Sequence, residues 1–311
     1  MGGGHLTSRP DRIVLAAFVV FVVFAGANAP AVRFALVELS PYSAAAIRFL
    51  AAGLLLGVLM AIQRRPIPRG DRLIGTVLFG IFAFGLPYAL LYQGLRDAPA
   101  GTTMVMLAIV PLLTLLLAVA QGVERMRALG LVGALIACVG IVVVSADQLS
   151  LEVPLLALVL LVGAAVCQAE SGVIVKRFPP GDPVSANAVG MLLGGVMLAV
   201  AAVVGGESIP RVPAAPETWI AMLYLIGPGS IGVFILVLFI LARWTASATS
   251  YAFLLFPFVA IALGATLLNE PVQPSFLAGG AIVLAGVYLG AVYRPRSGPP
   301  SPAAETVAAE S

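Results

Sequence analysis

Residues 94–125, GLRDAPAGTTMVMLAIVPLLTLLLAVAQGVER, and residues 240–271, ILARWTASATSYAFLLFPFVAIALGATLLNEP, are one segment written twice. At a constant offset of 146 residues Leu95 matches Leu241, Ala100 matches Ala246, Pro111 matches Pro257 and Glu124 matches Glu270; beyond them Gly133 matches Gly279 and Gly140 matches Gly286. Ala, Leu and Gly are abundant throughout, so the Pro and Glu pairs carry most of the weight. Upstream the match loosens: Ser40-Pro41 resembles Asp182-Pro183, and Arg33-Phe34 resembles Arg177-Phe178. An internal repeat settles architecture before any motif does.

Around this duplication the chain is 61% hydrophobic and 10% charged over 311 residues, with a mean hydropathy of +1.09. A soluble domain carries about a quarter of its residues charged. A span needs about 20 apolar residues to cross a hydrocarbon core roughly 30 Å thick. Ten runs qualify: Ile13 to Val32, Tyr42 to Ile62, Leu73 to Leu91, Gly101 to Val119, Ala128 to Val144, Pro154 to Val175, Pro183 to Val204, Trp219 to Leu241, Ser247 to Leu267 and Ser275 to Tyr293. The first is longer than the apolar core of a secretory leader and has a counterpart in the second half, which favours a span over a cleaved peptide.

The basic residues orient the spans. With the N-terminus in the cytoplasm, 13 of the 17 Lys and Arg fall on the inner side, against Arg33, Arg96 and Arg211 outside and Arg48 within a span. This is the positive-inside pattern of a multi-pass protein in the cell (cytoplasmic) membrane, not a nucleic-acid footprint, and it places both termini in the cytoplasm. Because each half has an odd number of spans, the second half enters from the opposite side. The expected fold is therefore an all-α membrane protein of ten transmembrane helices as two inverted five-helix repeats, residues 13–146 and 154–293. Residues 1–12 form a cytoplasmic tail, and 294–311, rich in Pro, Ala, Ser and Glu, form a disordered one.

In this order and duplication the chain resembles the EamA family of the drug/metabolite transporter superfamily. The resemblance rests on Gly26-Ala27-Asn28, Ser40-Pro41, Arg48-Phe49 and residues 94–100 (Gly-Leu-Arg-Asp-Ala-Pro-Ala), then on Pro111, Glu124-Arg125, Ala246, Pro257 and Glu270-Pro271. It spans almost everything from Leu15 to Tyr293. One departure is Ala25-Gly26 where the family often has Trp-Gly. The resemblance implies a ten-helix permease, often an exporter of amino acids or related metabolites, with no nucleotide-binding domain.

Transporter sites lie near the midplane, where broken helices expose backbone groups. The third span breaks at Gly85-Leu86-Pro87-Tyr88 and the eighth at Gly227-Pro228-Gly229-Ser230, so Pro87 and Pro228 are candidate hinges, with Pro111 and Pro257 as a second pair. Any one of these also reads as a tolerated kink. Two ionisable residues sit inside spans, where a charge costs about 3 kcal/mol or more unless it faces protein or water. Arg48 either binds helix-end carbonyls or lipid phosphate, or meets a substrate carboxylate. Glu170 is either hydrogen-bonded within the bundle or a buried acid that carries a coupling proton. Asn28, Tyr88, Tyr92, Gln168, Ser171 and Ser230 are candidate substrate-binding residues or ordinary interhelical hydrogen-bonders. Glu124 and Glu270 read as structural carboxylates able to cap the next helix.

The expected partners are a small-molecule substrate and membrane lipids, and no cofactor is expected. Cys138 and Cys167 lack metal-ligand spacing and His5 stands alone, so no metal site or catalytic set is expected. The alternative is an intramembrane enzyme acting on a lipid or isoprenoid, which would need clustered His, Asp, Cys or Ser in adjacent loops. The loops are short and poor in them.

Overall fold

The computed structural model describes residues 12–94, 97–98, 103, 106–144, 153–208, 210, 212–267 and 274–292. Both tails, the loop residues Leu95, Arg96 and Ala100, and Glu270 lie outside them. Among the described residues all regular structure is helical. The elements are α1 (Arg12–Gly26), α2 (Asn28–Ala35), α3 (Pro41–Ile62), α4 (Asp71–Gly80), α5 (Leu86–Gly94), α6 (Val110–Ala120), α7 (Ala128–Val144), α8 (Leu155–Arg177), α9 (Pro183–Val204), α10 (Pro216–Ile226), α11 (Val233–Leu241), α12 (Ala246–Ser250), α13 (Ala252–Leu267) and α14 (Pro274–Val287). Three π-helical segments, Ile81–Gly85, Gly227–Gly232 and Tyr288–Val292, join or extend them.

Among the described residues seven helices are long and apolar enough to cross a membrane, several of them built from two of these elements in series, and three shorter apolar helices accompany them. Their outer surface is what lipid requires: Leu54, Leu55, Val58, Leu155, Val203 and Val204 are all exposed. The interior is packed with small and aromatic residues, with Phe49, Phe84, Leu56, Met191 and Leu198 buried between α3, α9 and the π segment after α4.

Two antiparallel helix pairs dominate the packing. In α3 and α9, Gly53 abuts Leu192 and Ala188 while Gly195 abuts Leu50. In α7 and α14, Gly133 meets Gly286 and Gly140 meets the carbonyl of Gly279. The four glycines matched in the repeat thus cross over, each touching the other's counterpart. A Cβ at Gly133 would stand 2.6 Å from the Gly286 carbonyl oxygen, so the two backbones lie closer than any side chain allows.

Helix ends follow from the same pairing. Asp182 caps α9, accepting from the N–H of Val184 at 3.1 Å and Ser185 at 3.0 Å. Ser40 makes no such bond for α3. There Glu207, just beyond the end of α9, accepts from the N–H of Tyr42 at 2.9 Å, the N–H of Ser43 at 2.8 Å and the Ser43 hydroxyl at 2.7 Å. Arg65, at the matching place beyond α3, donates to Asp182 at 2.6 Å. Each helix therefore has a carboxylate at its positive end, as the helix dipole favours. The residues before Arg65 and Glu207 both turn the chain with positive φ: Arg64 at 50° and Gly206 at 69°.

Glu124 is structural, but it does not cap the next helix. It accepts from the Ser247 N–H at 3.1 Å and from the Ser247 hydroxyl, at the start of α12. Gly122, at φ 70°, reverses the chain after α6 and carries Glu124 there. Pro111 differs from a mid-helix kink: it is the second residue of α6, after a turn at 108–109, where a missing N–H costs nothing. Pro257 is inside α13, with the break upstream of it at Tyr251.

Because Gly133 packs against backbone, Gly133→Val should destabilise the detergent-solubilised protein by about 1–3 kcal/mol or prevent folding. Gly57, with open space around it, should accept Val with little change. Comparing the two melting curves checks the α7/α14 contact.

Candidate functional site

The breaks in the third and eighth spans are π-helical turns. Ile81–Gly85 and Gly227–Gly232 begin at the same 146-residue offset as the repeat, although Pro87 lies just after the first and Pro228 inside the second. A π turn shifts hydrogen bonding to the residue five back, and such turns concentrate at functional positions. Here the Val233 N–H reaches the carbonyl of Pro228. The carbonyl of Gly229, within the turn, is used by side chains from two other helices.

One is Arg48 of α3. Only 2% exposed, it donates from Nη2 to the Gly229 carbonyl at 2.6 Å and from Nε to the Ser230 hydroxyl at 2.6 Å. Among the described residues no carboxylate pairs with it. Its guanidinium carbon lies 4.9 Å from the Phe49 ring centroid and 5.9 Å from that of Tyr88, where the rings' negative faces offset part of the charge. The other is Asn28, at the start of α2, whose Nδ2 donates to the same Gly229 carbonyl at 3.1 Å. Its Oδ1 is buried with no hydrogen-bond partner among the described residues. Gly229 has to be glycine, since a Cβ there would occupy the place of Asn28 Oδ1. Tyr92 stacks edge-on with Tyr88 and Tyr42, and with Arg48, Val32, Ala35, Ala44, Ala45 and Leu225 it lines a crevice of about 10 Å³. That is room for one water at most.

Asn28, Arg48, Tyr88, Tyr92 and Ser230 thus come together at the π turn. Gln168, Glu170 and Ser171, all on α8, lie in a second group that no hydrogen bond among the described residues links to the first. The Ser171 hydroxyl donates to the Gln168 carbonyl at 2.8 Å, within its own helix. Glu170 accepts from Gln121 at 2.7 Å, and Gln121 in turn accepts from Arg177 at 3.0 Å, tying the end of α6 to α8. Sequence reading missed Gln121, Glu207 and Asn187. Asn187 is fully buried in α9 with neither amide atom bonded among the described residues, and its polarity inside an apolar run was the available signal. Among the described residues no three His, Cys, Asp or Glu gather to hold a metal.

A family model described as the EamA-like transporter family matches this chain twice, over residues 12–146 and 155–291. The chain belongs to that family. It is 29% identical over 275 residues to the uncharacterized inner membrane transporter YedA of Escherichia coli, covering 88% of each chain. It is 27% identical over 280 residues to an uncharacterized transporter of Archaeoglobus fulgidus, covering 86% of this chain and 95% of that one. A crystal structure superposes with a TM-score of 0.75 at 17% identity, over 91% of this chain and 96% of the other, and shows that the fold is shared. This EamA-like chain is thus a membrane transporter, and Arg48 is its buried arginine among the described residues.

At one end of the α3/α9 pair lies the Arg65–Asp182 contact. Partial burial works against ionisation of Asp182, but the Ser185 N–H and the Arg65 guanidinium outweigh it and hold the carboxyl below its usual range. A depressed folded-state pKa stabilises the fold at neutral pH, and that contribution disappears as pH falls through the lowered value, below about pH 4. Asp182→Ala should therefore melt earlier than the parent at pH 7 in detergent, with the gap closing below about pH 4. A gap independent of pH would exclude this ionic contribution.

Proposed function

We propose that this EamA-like transporter is a secondary permease that moves a small organic metabolite, an amino acid or related compound, out of the cell by alternating access. Its ten helices form two inverted five-helix repeats with both termini in the cytoplasm. Supporting this are the two family-model matches of similar length, the antiparallel α3/α9 and α7/α14 pairs that unite repeat-related helices, and the 13-to-3 bias of basic residues between the two sides. Rocking one half on the other would use those pairs as bearings and the π turns as hinges.

The observation that carries the reading is Arg48. A guanidinium this deep, held by a carbonyl and a hydroxyl with no carboxylate among the described residues, leaves a net positive site in low dielectric. A solute bearing a carboxylate supplies the missing charge. Asn28, Tyr88, Tyr92 and Ser230 surround that site, and Pro87 and Pro228 flank it as hinges. Pro111 and Pro257 are weaker hinge candidates, since Pro111 starts its helix and the chain breaks at Tyr251, upstream of Pro257. Gln168 and Ser171 would meet the solute only in a differently opened state. Export is the direction that the family resemblance supports.

Cells overproducing the protein and challenged with toxic concentrations of individual amino acids and analogues should show selective resistance. No change in sensitivity to any of them, together with no uptake of amino acids, nucleobases or sugars in proteoliposomes at several pH values, would count decisively against the proposal.

We propose in addition that Glu170, seven residues from the end of α8 and bonded to the Gln121 amide, carries a coupling proton. Glu170→Gln should abolish pH-driven uptake into proteoliposomes while leaving solute exchange intact. A pH dependence equal to the parent's would dismiss that role.

A further inference from the structure

The two nitrogens of Arg48 that are engaged, Nε and Nη2, form one edge of the guanidinium, the side-on fork that matches the two oxygens of a carboxylate. In this structure a carbonyl oxygen and a hydroxyl oxygen occupy that fork, both at 2.6 Å and both from adjacent residues of one π turn. Gly229 and Ser230 thus stand where a carboxylate would stand. The crevice that Arg48 and Tyr92 line, at about 10 Å³, has no room for a solute group alongside the existing pair. A carboxylate can reach the fork only by displacing them.

We propose that Gly229 and Ser230 act as an internal surrogate for the substrate carboxylate: an α-amino carboxylate takes the Arg48 fork, expels the π turn, and thereby frees α10 and α11 to move against α3. The inference rests on the transport reading and adds the ligand's reacting end and the trigger. The amino end is matched by Asn28. Its Nδ2 is committed to the Gly229 carbonyl, and its Oδ1 is a buried acceptor with no partner among the described residues, beside the fork. An ammonium group on the carbon that bears the carboxylate would satisfy it. Gly229 makes the exchange sterically feasible because it brings no side chain against Asn28. The aromatic faces of Phe49 and Tyr88 remain against the guanidinium throughout, so the charge is never left bare.

A surrogate competes with the ligand, so removing it has the opposite sign from removing a binding residue. The purified full-length transporter would be titrated with each common L-amino acid and with the corresponding amino-acid amide, reading the shift in thermal unfolding. Acids should bind and amides should not. Ser230→Ala should tighten binding of the acid roughly five-fold, by the worth of one competing hydrogen bond, while Arg48→Gln should abolish it. If Ser230→Ala does not purify, Ser230→Cys, with a weaker acceptor, should shift affinity in the same direction. On binding, amide hydrogen exchange across 227–234 should rise as the turn is released.

Weakened binding in the Ser230 variants would overturn the surrogate, as would amides that bind as well as acids. The failures separate cleanly: proteoliposomes that move solutes while amides and acids bind alike keep the transport reading and lose this one. Acid-selective binding without movement of any solute keeps the carboxylate fork and loses transport.

Discussion

A guanidinium out of reach of water must find its acceptors in the protein, and in this chain that requirement fastens three helical segments to one turn. Arg48 reaches Ser230 and Gly229, Asn28 reaches Gly229, and Phe49 and Tyr88 close the remaining sides with their ring faces. A regular α-helix would commit its carbonyls along its own axis. In the π turn at Gly227–Gly232 the Val233 N–H goes to the Pro228 carbonyl and not to that of Gly229, which allows this backbone oxygen to serve side chains from elsewhere. The break in the helix supplies the acceptors that the charge in the membrane needs.

The same economy governs the ends of the bundle. The protein has 14 acidic residues, and several sit on the N-terminus of a helix from another part of the chain. Glu207 caps α3, Glu124 caps α12, and Glu38 accepts from the N–H groups of Ala214 at 2.9 Å and Ala215 at 3.2 Å ahead of α10. A hydrogen bond from the Thr218 side chain above all, and then those from Ala214 and Ala215, hold the Glu38 carboxyl below its usual range. Such contacts satisfy orphan N–H groups and the helix dipole together, and they staple distant segments at the membrane surface. Where α3 meets α9 the two ends are equivalent in form but not in residue: at one end the cap belongs to the helix itself and the partner brings Arg65, at the other the partner brings the cap. The pair α3 and α9 is thus bonded together at both of its ends.

Much of the site was legible before any coordinates. Arg48 and the Gly227-Pro228-Gly229-Ser230 break stood out because charge and helix breakers are conspicuous in an apolar run, and their meeting is the expected fate of both. Asn28 and the tyrosines followed from the same contrast. Glu207 and Gln121 did not stand out, because polar residues near span ends are ordinary. Nor did the sequence indicate that Glu124 would pass over the adjacent helix to reach Ser247, since hydrogen-bonding chemistry is the same for both and only the turn at Gly122 distinguishes them. The glycine pairs carried a partial signal: their spacing announced a repeat, while the crossed contact of Gly133 with Gly286 depends on how two helices lie.

What the sequence by itself determined is the solvent, the helical segments and their duplication, because hydropathy over about 20 residues and identities at one offset are local properties of the chain. Only the tertiary structure decided which polar groups meet. It put Asn28 and Arg48 on the Gly229 carbonyl, gave Arg48 the Ser230 hydroxyl as its second acceptor, and left Glu170 with Gln121, which also accepts from Arg177. The physical reason is that these partners are separated by tens to hundreds of residues. In a medium without water, a buried donor or acceptor bonds to whatever group the helix packing places beside it.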